Sequence, residues 1–317
     1  MNYLKLIRFP NLVIIALIQY VMRYCVIQPI LGINKMELQL SKLDFFFLVF
    51  STLCMVAAGY VINDYFDTKG DRLNRRQVIV GNTISRRAAL SLHSILNVVS
   101  IVLGGYVSYR IGHWQFVLIF FMASGLLWFY STTYKYYFVL GSFIVSLLTA
   151  LIPFMVVVYE IPVLNKEYAR ILIASHTNFN YLFYWVGAFS FFCFMGMFIG
   201  QFIRDLGAIC GDKEINRRSL PLVIGLQPAK WVIVSLTSLL CVAMVVLWYM
   251  FLNDSIDPIT PWYFGVVIIL PLIWLCVKVL RFNPSQSIKS CVRLLRWVLL
   301  AGISYSFVVY NIMTTQL

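Results

Sequence analysis

The stretch FFFLVFSTLCMVAAGYVI, residues 45–62, runs directly into the acidic stretch NDYFDTKGD, residues 63–71. The first part is apolar and nearly long enough to cross a bilayer, because about 20 apolar residues span the hydrocarbon core. The second part places Asp64, Asp67 and Asp71 at spacings i, i+3 and i+7. This junction predicts a membrane-spanning helix that ends in a cluster of carboxylates.

The acidic stretch is a candidate magnesium site. If the helix continues, Asn63, Asp67 and Asp71 share one face, and the carboxylates there repel one another unless some take up protons. Mg²⁺ removes the repulsion and usually binds through one or two carboxylates together with phosphate oxygens of a substrate. The alternative is a solvated helix end with ordinary loop acids.

The composition indicates a protein that crosses the membrane many times. Of its 317 residues, 61% are hydrophobic and 12% are charged, whereas about a quarter of the residues in soluble domains are charged. We predict an all-α polytopic membrane protein, a single domain over residues 1–317, built as a bundle of nine transmembrane helices around a central cavity. The spans are predicted at 9–31, 43–65, 88–109, 114–133, 138–159, 183–203, 230–252, 262–281 and 292–314. Residues 159–178 are polar enough to form a loop.

The basic residues predict the orientation. With the N-terminus inside, 19 Lys and Arg residues lie on the inner side and five on the outer side, while Arg23 lies within the first span. Cytoplasmic loops carry such an excess, so the acidic stretch is predicted to face the cytoplasm, in the inner (plasma) membrane of a bacterium. The orientation also explains most of the net charge of +13 without a nucleic-acid partner. No obligate protein partner is inferred.

A second cytoplasmic loop, residues 204–229, resembles the first acidic loop, residues 63–87. Each contains spaced aspartates, then an arginine pair, then an apolar stretch that ends in glycine. The loops lie four spans apart, which favours a four-helix internal repeat, although chance likeness is the alternative. Acidic and basic groups at one membrane face suit a metal-bound diphosphate, with a lipid tail among the helices below.

Residues 63–71 match N-D-x-x-D-x-x-x-D, the first motif of the UbiA-type intramembrane prenyltransferases. Further similar segments are Arg72-Leu73-Asn74-Arg75, the family's opening at Arg8-Phe9-Pro10-Asn11, its helix 4–5 hairpin at residues 130–135, and the end of its second motif at Gly211-Asp212-Lys213, Ser219-Leu220-Pro221 and Gly225. The resemblance runs from about residue 4 to residue 230. It departs at Ala208, where the family has the first aspartate of D-x-x-x-D, and Asp205 lies one turn earlier.

The resemblance implies Mg²⁺-dependent transfer of a prenyl group from an allylic prenyl diphosphate to a lipophilic acceptor, with release of pyrophosphate. The first motif favours a glycerol-phosphate lipid acceptor, such as geranylgeranylglycerol phosphate, over an aromatic quinone precursor. The implied metal ligands are Asn63, Asp64, Asp67 and Asp71 for one Mg²⁺, and Asp205 and Asp212 for a second. The implied diphosphate-binding residues are Arg72, Lys135, Tyr130, Arg8 and Asn11. The residues expected to be catalytic are Asp67, Asp71, Asp212 and Lys135.

Three other functions stay open. The same acids would serve transfer of phosphoribose to a polyprenyl phosphate, and Ala208 is compatible with a catalytically impaired lipid-binding homologue. A transporter is disfavoured because the acids lie at helix ends and not at the membrane midplane. Within the spans, Arg23 lies one turn from Gln19 and is expected either to face a cavity or to reach the outer surface. Asn97 is expected to join two helices by a hydrogen bond.

Overall fold

The computed structural model describes residues 2–73, 77–251, 257, 259–283 and 288–315. Within these residues, nine helices are long and apolar enough to cross a membrane. Spans 1–9, in chain order, are Phe9–Ile33, Lys42–Phe66, Arg86–Arg110, Trp114–Thr132, Leu140–Glu167, Asn180–Leu206, Leu226–Met250, Ile259–Leu280 and Lys289–Thr314. The predicted class of an all-helical polytopic membrane protein is therefore confirmed. Leu252, the predicted end of span 7, and residues 74–76 of the first acidic loop lie outside the described residues.

Serine caps define the start of two spans near the N-terminus. The Ser41 hydroxyl accepts a hydrogen bond from the backbone N–H of Asp44 at the start of span 2, at 3.0 Å. Ser85 does the same for the N–H of Ala88 at the start of span 3, at 3.2 Å. Such caps satisfy N–H groups that have no partner inside the helix.

Span 2 does not continue through the acidic stretch. It ends at Phe66, Asp67 is its C-cap residue, and a separate short helix runs from Thr68 to Leu73. The N–H of Asp67 still bonds to the Asn63 carbonyl at 2.9 Å, and the N–H of Asp71 bonds to the Asp67 carbonyl at 2.8 Å. Because Asp67 interrupts the helix, Asp64 belongs to span 2 and Asp71 to the separate short helix.

The predicted loop over residues 159–178 is wrong. Span 5 continues to Glu167, and a further helix runs from Ala169 to Ser175. Two polar residues at the start of this segment have partners inside the protein. Tyr159 shares a hydroxyl–hydroxyl hydrogen bond of 2.8 Å with Ser108, and Glu160 accepts the backbone N–H groups of Gln39 and Leu40.

The chain divides into two compact units. The first consists of Met1–Lys135 and Leu151–Gly187, and the second of Tyr136–Ala150 and Ala188–Leu317. In the first unit, a small apolar core that includes Leu6, Val61 and Ala89 lies at the level of the first acidic loop. In the second unit, spans 6 to 9 contribute to a larger core that includes Ile203 and Leu272. The four-helix repeat and the single domain stay predictions.

Three polar residues within the spans of the first unit join helices. Ser124 of span 4 donates a hydrogen bond of 2.8 Å to the Asn97 side chain of span 3, so the predicted role of Asn97 is confirmed. Arg23 does not reach the outer surface, because its side chain is 2% exposed and its Nη2 lies 3.6 Å from Oε2 of Glu160. Gln19, one turn away, donates to the Ile152 carbonyl at 3.2 Å.

Candidate active site

The first motif meets a buried lysine within the first unit. Nζ of Lys135 lies 2.5 Å from Oδ1 of Asp67, and the Lys135 side chain is only 4% exposed. Lys135 lies in the tight turn Tyr134–Tyr136 that follows span 4, whereas Asp67 ends span 2. Two of the residues predicted to be catalytic, 68 positions apart in the sequence, are therefore in direct contact.

A second ion pair lies at the same motif. Nη2 of Arg8 donates to Oδ1 of Asp64 at 2.8 Å, and the Arg8 guanidinium lies 4.7 Å from the centre of the Tyr60 ring. Arg8 has a left-handed backbone conformation, with φ of 52°, immediately before span 1 begins. The side chain of Arg8 is 44% exposed, so solvent weakens the pair and leaves the guanidinium accessible to an anion.

A basic cavity of about 530 Å³ adjoins the first motif. Its lining includes Lys69, Arg72 and Arg86, with Thr68 and Gly81. Arg86 donates to the Thr68 hydroxyl at 3.4 Å. Arg72 was predicted to bind a diphosphate, and this position places it beside two other cations that attract phosphate oxygens.

The remaining predicted residues of the first motif and its surroundings lie at helix ends. Asn63 and Asp71 are both partly exposed. Asn11 is exposed in the first turn of span 1, and Tyr130 is half-buried near the end of span 4. The structure gives each of them a location, whereas their predicted roles in binding stay predictions.

The second motif lies in the second unit and is organised around Arg217. The side chains of Asp205 and Asp212 are only 5% and 2% exposed. Nη2 of Arg217 lies 3.1 Å from Oδ1 of Asp205, and its Nη1 lies 3.6 Å from Oδ1 of Asp212. Ala208, between the two acids in sequence, is buried and immediately precedes the short helix Ile209–Glu214. Span 6 ends at Leu206, so a helix break also separates Asp205 from Asp212.

The donor set of the first motif fits magnesium that is held jointly with a diphosphate. Among the residues that the structure describes, no three His, Cys, Asp or Glu side chains gather closely enough to hold a metal without other ligands. Mg²⁺ seldom needs such a set, because it commonly binds one or two carboxylates, water and substrate phosphate. Partly exposed carboxylates at Asp64 and Asp67, with cations nearby, provide that chemistry.

Two charged residues were missed as parts of a site. The sequence identifies Arg217 as a cytoplasmic charge and as part of the arginine pair of the second loop, but not as a partner of the acids, although its position five residues after Asp212 is a usable signal. Glu160 was placed in a loop without chemistry, although a lone acid after a long apolar run indicates a buried partner. Glu160 pairs with Arg23, which is far away in the sequence, so no local pattern reports that contact.

With this geometry established, comparison with known proteins gives the family. The model of the UbiA prenyltransferase family matches residues 36–301. The chain belongs to this family. The predicted resemblance is therefore confirmed, and the family's helical membrane fold agrees with the nine spans of the described residues.

Three individual UbiA relatives are informative. Digeranylgeranylglyceryl phosphate synthase of Methanosphaera stadtmanae is 26% identical over 206 residues, which are 64% of this chain and 66% of the relative. The match thus spans just under two thirds of that relative's length. A solved structure from work on digeranylgeranylglyceryl phosphate synthase in membranes has 18% sequence identity to this chain. Its TM-score is 0.65, over 96% of this chain and 98% of the other.

The third UbiA relative is a homologue from Archaeoglobus fulgidus solved with DMAPP and Mg²⁺. It is 15% identical, with a TM-score of 0.61 over 98% of this chain and 99% of the other. At these identities the two solved structures show a shared fold. The chain is an integral membrane protein with the UbiA architecture.

Proposed function

We propose that the protein is a prenyltransferase that moves a prenyl group from an allylic prenyl diphosphate to a glycerol-phosphate lipid. The observation that carries the proposal is the contact between Lys135 and Asp67, since it places a buried cation against the central acid of the first motif. The relatives support the same reaction: one is a synthase of a prenylated glyceryl phosphate, and another was solved with an allylic diphosphate and Mg²⁺.

In the proposed reaction, the bond between the allylic carbon and the diphosphate oxygen breaks, and that oxygen keeps the electron pair. A hydroxyl oxygen of the acceptor forms a new bond to the carbon and loses its proton, and pyrophosphate leaves. We assign Mg²⁺ to Asn63, Asp64, Asp67 and Asp71. When bound there, it would neutralise the charge that develops on the diphosphate.

The residues of this chain supply positioning and positive charge. Lys135 has its ammonium group fixed by Asp67 and would bind a diphosphate oxygen from that position. Arg72, in the basic cavity, and the accessible guanidinium of Arg8 are proposed to bind further oxygens. Asn11 and Tyr130 are proposed to bind the diphosphate together with them. Fixed charges of this kind stabilise a leaving group because they need no reorganisation during the reaction.

The prediction that Asp205 and Asp212 bind a second Mg²⁺ stays open, because Arg217 contacts both carboxylates. We further propose that residues 1–317 act as one catalytic domain. The excess of basic residues on one side supports a cytoplasmic N-terminus and a cytoplasmic site in a plasma membrane.

The test is pyrophosphate release by the purified full-length protein in detergent. We expect release that requires both a prenyl diphosphate and geranylgeranylglycerol phosphate and that stops when EDTA removes Mg²⁺. Lys135→Met should lower kcat/KM roughly 100-fold, because a hydrogen bond to a charged group contributes about 1.5–3 kcal/mol. Lys166→Met, a change of an exposed lysine at the far end of span 5, is the matched control.

The same assay distinguishes the alternatives. Turnover of phosphoribosyl diphosphate with a polyprenyl phosphate, and none of prenyl diphosphates, would replace the proposal with phosphoribosyl transfer. Absence of Mg²⁺-dependent release with every donor and acceptor would leave a lipid-binding homologue. Equal loss of activity in Lys135→Met and Lys166→Met would remove the role assigned to Lys135.

A further inference from the structure

The second motif contains a fixed cation from the protein itself. We infer that the guanidinium of Arg217 takes the place of the second metal ion, so that the enzyme works with Mg²⁺ at the first motif alone. The inference rests on the proposed function and concerns only residues of the second unit. It starts from Ala208, which stands where the resemblance to the family implies an aspartate.

The two remaining acids of the second motif share one counter-charge. Asp205 and Asp212 are nearly inaccessible, and buried carboxylates need a cation or hydrogen-bond donors nearby. Arg217 supplies one guanidinium nitrogen to each carboxylate, at 3.1 Å and 3.6 Å. The planar guanidinium suits this task, because its N–H groups point to two acceptors at once.

The backbone holds Arg217 in this position. The short helix Ile209–Glu214 ends with Asn216 in a left-handed conformation, with φ of 54°. The N–H of Asn216 bonds to the Lys213 carbonyl at 3.3 Å, and the N–H of Arg217 bonds to the Asp212 carbonyl at 2.9 Å. This pair of bonds is a Schellman motif. It folds the chain back, so that Arg217 contacts Asp212 with both its backbone and its side chain.

The same geometry disfavours binding of a metal ion between Asp205 and Asp212. Mg²⁺ requires about six oxygen ligands at 2.0–2.1 Å in near-octahedral order. Here the motif lacks one carboxylate at Ala208, and Arg217 contacts the other two. A divalent cation between Asp205 and Asp212 would lie within a few ångströms of the guanidinium, and like charges at that distance repel strongly. The first motif differs, since the carboxylates of Asp64 and Asp67 are partly exposed, which leaves oxygens accessible to a metal ion.

The test counts metal ions by electron paramagnetic resonance of Mn²⁺, added with inorganic pyrophosphate to the purified full-length protein. We expect about one Mn²⁺ per chain in the wild-type protein, because only the first motif accepts a divalent ion. Removal of the guanidinium in Arg217→Gln should raise the number to about two. Arg218→Gln is the matched control: the neighbouring arginine is exposed, and the change should leave about one ion.

Each outcome separates this inference from the proposed function. Two ions in the wild-type protein, falling to one in Asp205→Asn, would overturn the role of Arg217 and leave the prenyltransferase proposal intact. One ion in both the wild-type protein and Arg217→Gln would also overturn it, since the arginine would not be what excludes the metal. No Mn²⁺ binding with pyrophosphate in any variant would overturn the proposed function itself. The wild-type count does not depend on whether a variant folds.

Discussion

Arg23 and Glu160 form a fully buried ion pair, and their environment shows how a charge is tolerated within a membrane span. Glu160 accepts two backbone N–H groups of the segment before span 2, from Gln39 at 2.6 Å and Leu40 at 2.9 Å. Arg23 donates to the Leu40 carbonyl and lies 4.3 Å from the centre of the Phe45 ring. The pair therefore anchors the connection between spans 1 and 2 to span 5.

Removing one member of this pair should destabilise the protein strongly. Arg23→Met leaves the Glu160 carboxylate buried without its cation, and such a loss costs about 3–5 kcal/mol. Arg110→Met is the matched control, because Arg110 pairs with Asp44 at 3.5 Å but has a side chain that is 54% exposed. We expect the control to cost less than about 1 kcal/mol.

The measurement is thermal unfolding of both variants in the same detergent, with the double variant Arg23→Met/Glu160→Gln alongside. Removing both charges should recover part of the loss, because neither charge is then left buried alone. Equal melting temperatures for Arg23→Met and Arg110→Met would show that the buried pair contributes no more than an exposed one.

Among the helices, close contact between spans 3 and 4 depends on glycine. A Cβ atom added at Gly104 would overlap the ring of Phe120, and Phe120 is itself 3% exposed. The same two helices are also joined by a hydrogen bond between Asn97 of span 3 and Ser124 of span 4. Small residues allow helices in membranes to approach closely, and polar pairs of this kind join them.

Gly104→Ala should therefore push the two helices apart. We expect a destabilisation of about 1–3 kcal/mol, the usual cost of overfilling a packed core. Gly125→Ala, in span 4, is the control, because a Cβ there meets nothing within 4 Å. That change should be neutral or stabilise by up to about 1 kcal/mol, since alanine favours a helix.

Thermal unfolding of the two variants in detergent tests whether the contact requires glycine at position 104. A double variant, Gly104→Ala/Phe120→Leu, should regain stability, because the smaller side chain makes room for the added methyl group. If Gly104→Ala and Gly125→Ala melt together, spans 3 and 4 do not require glycine for their contact.

For the molecule as a whole, the distribution of charge sets the expected orientation. We predict that a cysteine replacing Lys69, beside the first motif, is on the cytoplasmic side, and that one replacing Lys166, at the end of span 5, is on the outer side. Both variants would be made with Cys210→Ser, because Cys210 is an exposed free cysteine.

Labelling of intact cells with an impermeant maleimide tests this orientation. The cysteine at position 166 should react in intact cells, and the one at position 69 only after the membrane is opened. The reverse pattern would place the first motif on the outer side and would overturn the assignment of the site to the cytoplasm.

The sequence by itself determined the class, the number of spans and the first motif. A run of about 20 apolar residues predicts a membrane helix from composition alone. The acids of the first motif are only a few residues apart, so their pattern is visible in the sequence. Lys135 was also identified, but only through the family resemblance. Local patterns carried these predictions because each depends on neighbouring residues.

Only the tertiary structure decided the partners of the charges. Asp67 contacts Lys135 across 68 positions, and Arg23 contacts Glu160 across the distance from span 1 to span 5. An acid is costly in a helix within the membrane, so Glu160 by itself indicates a loop. In the structure a distant arginine and two backbone N–H groups compensate that cost. Arg217 faces both acids of the second motif because a left-handed residue turns the chain back. Such contacts depend on how the chain folds back on itself, and spacing along the sequence does not report that.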